Sequence, residues 1–245
     1  MRLADKLNFR KTYAEHIRRV KNEHRQDTAM EVAVGGEFKA FGILMRELLI
    51  QVGLKKDDYV IDVGCGSGRL AKPLSEYLSG KYLGIDVVPD LVTYASNLVK
   101  RPDWRFEVTK GFSIPEKSNH ANMVCFFSVF THLLHEESYR YLEEAKRVLK
   151  PSGKIVFSFL EFSIPCHWNV FEANLKNMGK PGHLNMFMSR DGINAWAEHL
   201  DLNIETIEDG DKPHIPLSSP VTLDNNKVMQ DKGNLGQSIC VLSLK

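Results

Sequence analysis

The sequence has no long apolar run, no excess of either charge and no closely spaced cysteines, and each absence removes a class of protein. Its longest nearly apolar stretch, Met123 to Phe130, is eight residues interrupted by Ser128. A bilayer span needs roughly 20, so none is expected. The first 25 residues scatter Lys, Arg, Asp and Glu where an export signal needs an apolar segment, and a cytoplasmic location is expected. Thirty-two basic residues against 31 acidic ones leave a net charge of +1, which argues against nucleic acid as the main partner. Cys65, Cys125, Cys166 and Cys240 are each more than 40 residues from the next, with neither the Cys-x-x-Cys spacing of a zinc site nor a disulfide framework. A reducing compartment and no metal are expected. Internal repeats, low-complexity tracts and Gly/Ser linkers are also missing, so one domain over 1–245 is expected.

What is present is a core-forming alternation. With 43% hydrophobic and 26% charged residues the chain has the profile of a soluble globular protein. From residue 54 short apolar runs alternate with helical stretches: 59–63, 70–78, 82–88, 91–100, 105–108, 123–130, 136–149 and 155–160. That alternation predicts an α/β fold, a parallel sheet covered by helices on both faces. Tyr141, Leu142, Ala145, Val148 and Leu149 share a helical face, and Lys150-Pro151-Ser152-Gly153 predicts a tight turn before a buried strand. Strands at 202–207 and 238–244, with no helix evident between them, predict an antiparallel pair joined by a long excursion of the kind that carries function. Residues 1–52 are expected to form an N-terminal helical cap, its amphipathic helix over Glu37 to Val52 carrying Phe38, Phe41, Leu44, Met45, Leu48 and Leu49. The expected core is 53–161, followed by a candidate substrate lid over 162–189 and a C-terminal helix and strand pair over 190–245.

The chemistry is concentrated in Tyr59 to Leu70, YVIDVGCGSGRL. A strand ends in Asp62 and runs at once into Gly64, Gly66 and Gly68, which let the backbone turn sharply and approach a ligand that a Cβ would exclude. Asp86 closes the next strand, 24 residues later, where an acid accepts hydrogen bonds from both ribose hydroxyls. A nucleoside cofactor is expected. The dinucleotide fingerprint G-x-G-x-x-G requires a third glycine at position 69, which is Arg69, so a nicotinamide dinucleotide is disfavoured.

An acid followed by G-x-G-x-G, a ribose-binding acid after the second strand, the strand at 123–130 and the Leu149-Lys150-Pro151-Ser152-Gly153 turn together resemble the class I S-adenosylmethionine-dependent methyltransferases. The resemblance covers about residues 35–245. It implies a Rossmann-like, seven-stranded, mostly parallel sheet with a final antiparallel strand, and S-adenosylmethionine as cofactor with S-adenosylhomocysteine as product. By matching position it places Asp62, Gly64, Cys65 and Gly66 around the aminoacyl part, Asp86 on the ribose and Val87 against the adenine. Phe127 and Ser128 pass beside the methionine portion. The family's Gly-Asp-Ala after the third strand is here Gly111-Phe112-Ser113, so adenine is met by Gly111 and Phe112 without the Asp. Gly35 and Gly36, in Val34-Gly35-Gly36-Glu37-Phe38, match an N-terminal strip that closes over the cofactor, or else start a helix.

Methyl transfer from a sulfonium is an in-line displacement that depends on positioning, helped by a base when the acceptor is a hydroxyl or a protonated amine. His132, past the end of the fourth strand, and Glu161, past the fifth, are the candidate catalytic groups; packing or capping for the first and simple exposure for the second are the competing readings. His167, Trp168 and His183 in the lid are candidate substrate contacts. The expected acceptor is a small molecule methylated on oxygen or nitrogen; a protein or tRNA acceptor, and a non-catalytic cofactor-binding protein, stay open. The sequence says nothing of oligomeric state.

Overall fold

A computed structural model of the 245-residue chain describes residues 17, 19–20, 30–32, 34–35, 37–178 and 184–245. Gly36 and His183 lie outside the described residues. The strands, in chain order, are β1 (Val60–Val63), β2 (Tyr82–Asp86), β3 (Arg105–Val108), β4 (Ala121–Phe126), β5 (Leu149–Phe159), β6 (Leu202–Glu208), β7 (Ile215–Pro216), β8 (Val221–Thr222), β9 (Val228–Met229), β10 (Lys232–Gly233) and β11 (Ser238–Leu244). The helices are α1 (Phe38–Gln51), α2 (Ala71–Leu74), α3 (Pro89–Val99), α4 (His135–Val148), α5 (Pro165–Lys176) and α6 (Arg190–His199). No described helix is long and apolar enough to cross a membrane.

Seven strands form one sheet in the order β3-β2-β1-β4-β5-β11-β6. β1 to β5 pair in parallel, and β11 runs antiparallel between β5 and β6, as the pattern of the last two apolar runs predicted. Strand order reverses at β1, which has β2 on one side and β4 on the other, so the chain leaves β1 and β4 in opposite directions and opens a crevice at their C-terminal ends.

Alternation along each strand sends neighbouring side chains to opposite faces. Ile61, Val63, Leu83, Ile85, Val124 and Phe126 meet Tyr141, Leu142 and Ala145 of α4 and Ile193 and Ala197 of α6. Val60, Tyr82, Met123 and Cys125 meet Leu44, Met45, Leu48 and Leu49 of α1 with Leu74 of α2. Both faces are therefore covered, the condition a parallel sheet requires.

Three details depart from the periodicity. The apolar run that ends at Phe130 overshoots its strand, because β4 stops at Phe126 and Ser128, at φ 58, turns the chain out of the sheet into a short 3-10 turn over Phe130–His132. The Lys150–Gly153 turn lies inside β5: Ala121 pairs with Leu149 and Met123 with Lys154, so the intervening residues bulge from the ladder. The excursion between β6 and β11 folds into two small antiparallel ladders, β7 with β10 and β8 with β9. It packs on α1, and the Glu37 and Asp224 amides each donate to the other residue's carboxylate, at 3.1 and 2.8 Å.

α1 owes its closeness to the crevice to one glycine. A Cβ at Gly42 lies 2.4 Å from the main-chain oxygen of Arg69, so α1 rests directly on the backbone that follows the glycine turn. Gly42→Ala is expected to destabilise the protein by about 1–3 kcal/mol through this overpacking, lowering Tm by roughly 2–10 °C. Thermal unfolding checks this, and an unchanged Tm excludes the close packing.

Candidate active site

The crevice is a cavity of about 530 Å³ at the C-terminal ends of β1, β2 and β4. Its floor is the glycine turn. Gly64, Gly66 and Gly68 have φ of 75°, 53° and 91°, in the left-handed region that disfavours a Cβ. A Cβ at Gly64 meets Val129 Cγ2 at 2.4 Å, and one at Gly66 meets Val34 Cγ1 at 2.8 Å. The backbone is thus gripped between the wall after β4 and the strip before α1. Gly64 and Cys65 donate to the Ile85 carbonyl at 2.7 and 3.0 Å, which fastens the turn to the end of β2.

Both acids are buried in this cavity wall. Asp86 accepts from the Gly66 amide at 3.0 Å and the Val88 amide at 2.9 Å. Burial raises its pKa, against the pull of the backbone amides of Val88, Gly66 and Val87. Asp62 accepts the Tyr82 hydroxyl at 2.7 Å. Burial pushes Asp62 up to about 7, opposed by the hydrogen bonds from Tyr82 and Cys125 and reinforced by the charge of Asp86. The Cys65 thiol is raised by burial, with Asp86 and Asp62 adding to it, and stays protonated.

Ten of the sequence candidates line this one cavity: Asp62, Gly64, Cys65, Gly66, Asp86, Val87, Phe112, Phe127, Ser128 and His132. Gly111 stands just behind it, its carbonyl accepting from Tyr141 Oη at 3.1 Å. Gly35, at φ 91°, lies beside the Arg69 guanidinium next to the lining residue Val34. His132 Nδ1 lies 2.8 Å from the Leu184 carbonyl, which can only accept, so Nδ1 carries the proton of this bond. The segment bearing Leu184 is fixed in turn, the Met186 amide donating to Thr131 at 2.7 Å and the Met188 amide to Leu160 at 2.8 Å.

The remaining candidates are elsewhere. Glu161 lines a second cleft with Arg190, Asp209 and Lys212. It is buried and takes a two-pronged pair from Arg190 at 2.9 and 2.8 Å, with further bonds from Ser163 and Ser238. Burial works against its charge, but the bonds from Arg190 and Ser238 hold its pKa below the ordinary range. An acid exposed at a strand end is therefore not what the fold contains. His167 is buried at 1% exposure, its Nδ1 accepting the Glu161 amide at 3.1 Å and its Nε2 donating to Gly236 at 3.1 Å. Burial lowers its pKa, and the ring lies in the packing between α5 and the loop before β11 rather than in the cavity. Trp168 is exposed on α5, in a four-ring cluster with Phe162, Phe171 and Phe187.

The lining also includes Thr109, Leu133, Glu137 and Tyr141, which sequence reasoning did not assign to a site. Glu137 and Tyr141 are one helical turn apart on α4, a spacing that reads equally well as core. Its other charged groups are Arg69 and the acids already described.

Residues 61–157 match the methyltransferase domain family. The matched segment runs from β1 into β5 and has the fold of the class I methyltransferases. S-adenosylmethionine is the cofactor of that family. An uncharacterized protein of Methanocaldococcus jannaschii is 29% identical over 143 residues, 57% of this chain and 52% of its own length. An uncharacterized methyltransferase of Schizosaccharomyces pombe is 26% identical over 112 residues, 42% of this chain and 40% of its own. The chain thus spans about half the length of the curated relatives it matches. Among solved structures, a Haloferax volcanii methyltransferase in complex with the Trm112 activator superposes with a TM-score of 0.65 at 18% identity, over 94% of this chain and 97% of that one. Magnesium protoporphyrin IX methyltransferase from Synechocystis, with bound S-adenosylhomocysteine, gives 0.62 at 14% identity, over 97% and 96%. At these identities the likeness is one of fold.

The raised pKa of Asp62 has a stability consequence. The folded state holds this proton up to about pH 7 while an unfolded Asp releases it near 3.8, so folding stability falls as pH rises through that window. Asp62→Asn is expected to raise the Tm of the ligand-free protein at pH 8 by several degrees and to change it little at pH 4. Equal shifts at both pH values would exclude a buried, proton-holding Asp62.

Proposed function

We propose that this methyltransferase binds S-adenosylmethionine along the cavity and methylates an oxygen or nitrogen of a small-molecule acceptor. One observation carries the reading: Asp62 and Asp86 stand at the ends of neighbouring parallel strands, and both line one cavity floored by a turn with no room for a Cβ at Gly64 or Gly66. The bound cofactor supplies an electrophilic methyl carbon on a positively charged sulfur.

The chain's own residues do the rest. Asp86 turns its remaining lone pairs to the ribose hydroxyls, with Val87 and Phe112 against the adenine, as the matching positions imply. Asp62 and the amides of the glycine turn hold the ammonium and carboxylate of the aminoacyl part, and Phe127 and Ser128 run beside its side chain. Because Asp62 serves as an anion while burial pushes it to about 7, cofactor affinity rises between pH 6 and 8. His132, oriented through Nδ1 by the Leu184 carbonyl, is the group on the cavity wall that would accept the acceptor's proton. Glu161, saturated by Arg190 and Ser238, is left as a structural acid.

The small-molecule acceptor is supported by charge. The lining sets the carboxyl groups of Asp62, Asp86 and Glu137 against the one guanidinium of Arg69, a balance that does not favour a phosphate backbone. The whole chain's net charge of +1 agrees.

Calorimetric titration with S-adenosylmethionine and S-adenosylhomocysteine, with NADH as control, is expected to give micromolar binding of the first two and none of the third. Asp86→Ala is expected to weaken both by tenfold or more, the loss of a charge-assisted hydrogen bond pair; unchanged affinity removes Asp86 from the ribose. His132→Ala is expected to lower kcat by roughly 10²-fold or more at unaltered cofactor affinity. Wild-type turnover in that variant would return His132 to a packing role. Methyl incorporation into tRNA or protein, with none into small hydroxylated or amine acceptors, would overturn the acceptor class.

A further inference from the structure

Three consecutive residues at the entry to β11 fasten different parts of the molecule around the cavity. The Gly236 carbonyl accepts from His167 Nε2 at 3.1 Å, which ties down α5. The Ser238 hydroxyl donates to Glu161 and accepts the Gly210 amide at 3.1 Å. Between them, Gln237 reaches the end of β4. Its Oε1 accepts from Ser158 Oγ at 2.6 Å and from Ser128 Oγ at 3.3 Å, while Ser158 Oγ accepts the Ser128 amide at 2.7 Å.

The donors and acceptors of this triad close on themselves. Each serine hydroxyl has one hydrogen and gives it to Gln237; the amide oxygen has two lone pairs and uses both. The residue so enclosed is Ser128, which lines the cavity at φ 58, a conformation that works against any residue with a Cβ. That left-handed turn ends β4 and swings Phe127, Val129 and His132 onto the cavity wall. A strained turn persists only where its surroundings over-determine it, and here the surroundings are Ser158 and Gln237.

The geometry points to Gln237 as a positioning residue for methyl transfer: from 109 positions away it clamps Ser128 in its left-handed turn and so sets the cavity wall that carries Phe127, Val129 and His132. The inference rests on reading that cavity as the cofactor site. The clamp itself is testable without any ligand.

The experiment compares Gln237→Leu, Ser158→Ala and Gln237→Glu, each in the full-length protein and again on a Ser128→Gly background. Amide hydrogen exchange across residues 127–131 and calorimetry with S-adenosylhomocysteine are the readouts. Gln237→Leu and Ser158→Ala are expected to speed exchange there by roughly tenfold and to weaken the ligand by about the same factor. Gln237→Glu, which keeps the acceptor oxygens, is expected to stay within about threefold of wild type in both. On the Ser128→Gly background, where glycine takes positive φ unaided, the further effect of Gln237→Leu is expected to shrink below about twofold. Unaltered exchange in both loss variants overturns the clamp, as does an equal effect of Gln237→Leu on the two backgrounds. Faster exchange with unchanged ligand affinity overturns the positioning role. Faster exchange in a protein whose wild type binds no S-adenosylhomocysteine leaves the clamp standing and brings down the functional reading instead.

Discussion

Burying Asp62 and Asp86 at the ends of neighbouring strands requires a polar partner for every oxygen they take out of water, and the local structure is arranged to supply them. The left-handed glycine turn brings the Gly66 amide to Asp86, which no turn crowded by a Cβ achieves. Tyr82 reaches across from β2 to Asp62, and its ring is held by stacking on Trp104 at 4.6 Å. Trp104 is pinned in its turn by the Gly80 carbonyl and by the Arg101 guanidinium 4.6 Å from its ring. Support for one carboxylate therefore runs down the length of β2 to the far end of the sheet. Burial still raises both acids, Asp62 to about 7, so ionising them in the empty cavity is costly.

How much of this could be read from residue order depends on the range of the interactions. The sheet, the glycine turn and the strand-end acids are products of local patterning, and alternation with β-branched residues placed β1, β2, β3, β6 and β11 to within two residues. The end of β4 was missed because an apolar run carries no mark of where it leaves a sheet. Ser128 adopts a conformation that the sequence gives no reason to assign to serine, and it does so because of residues 30 and 109 positions away. The hairpins of the excursion are two-residue strands whose register comes from packing against α1, so no period announces them.

Polar candidates fared according to the same rule. His132 and Glu161 have equivalent addresses, each just beyond a strand end, and the chain itself does not tell them apart. Tertiary partners do: a carbonyl orients the first within the cavity, whereas an arginine 29 residues on and a serine 77 residues on absorb the second. His167 is likewise drawn into packing by a carbonyl 69 residues away. A titratable residue at a suggestive position thus ends on a cavity wall or in scaffolding according to groups that sequence spacing cannot bring together.

The fastening of the cavity by the last strands bears on the order in which the molecule is made. Asp62, the glycines, Asp86 and His132 are all synthesised before the groups that fasten the walls around them, Asp224 and Gln237. Pairing of β11 between β5 and β6 must wait equally long. Long-range contacts of this kind form late and slowly. A nascent chain can therefore carry the acids and the glycine turn before the contacts that fasten the cleft around them exist.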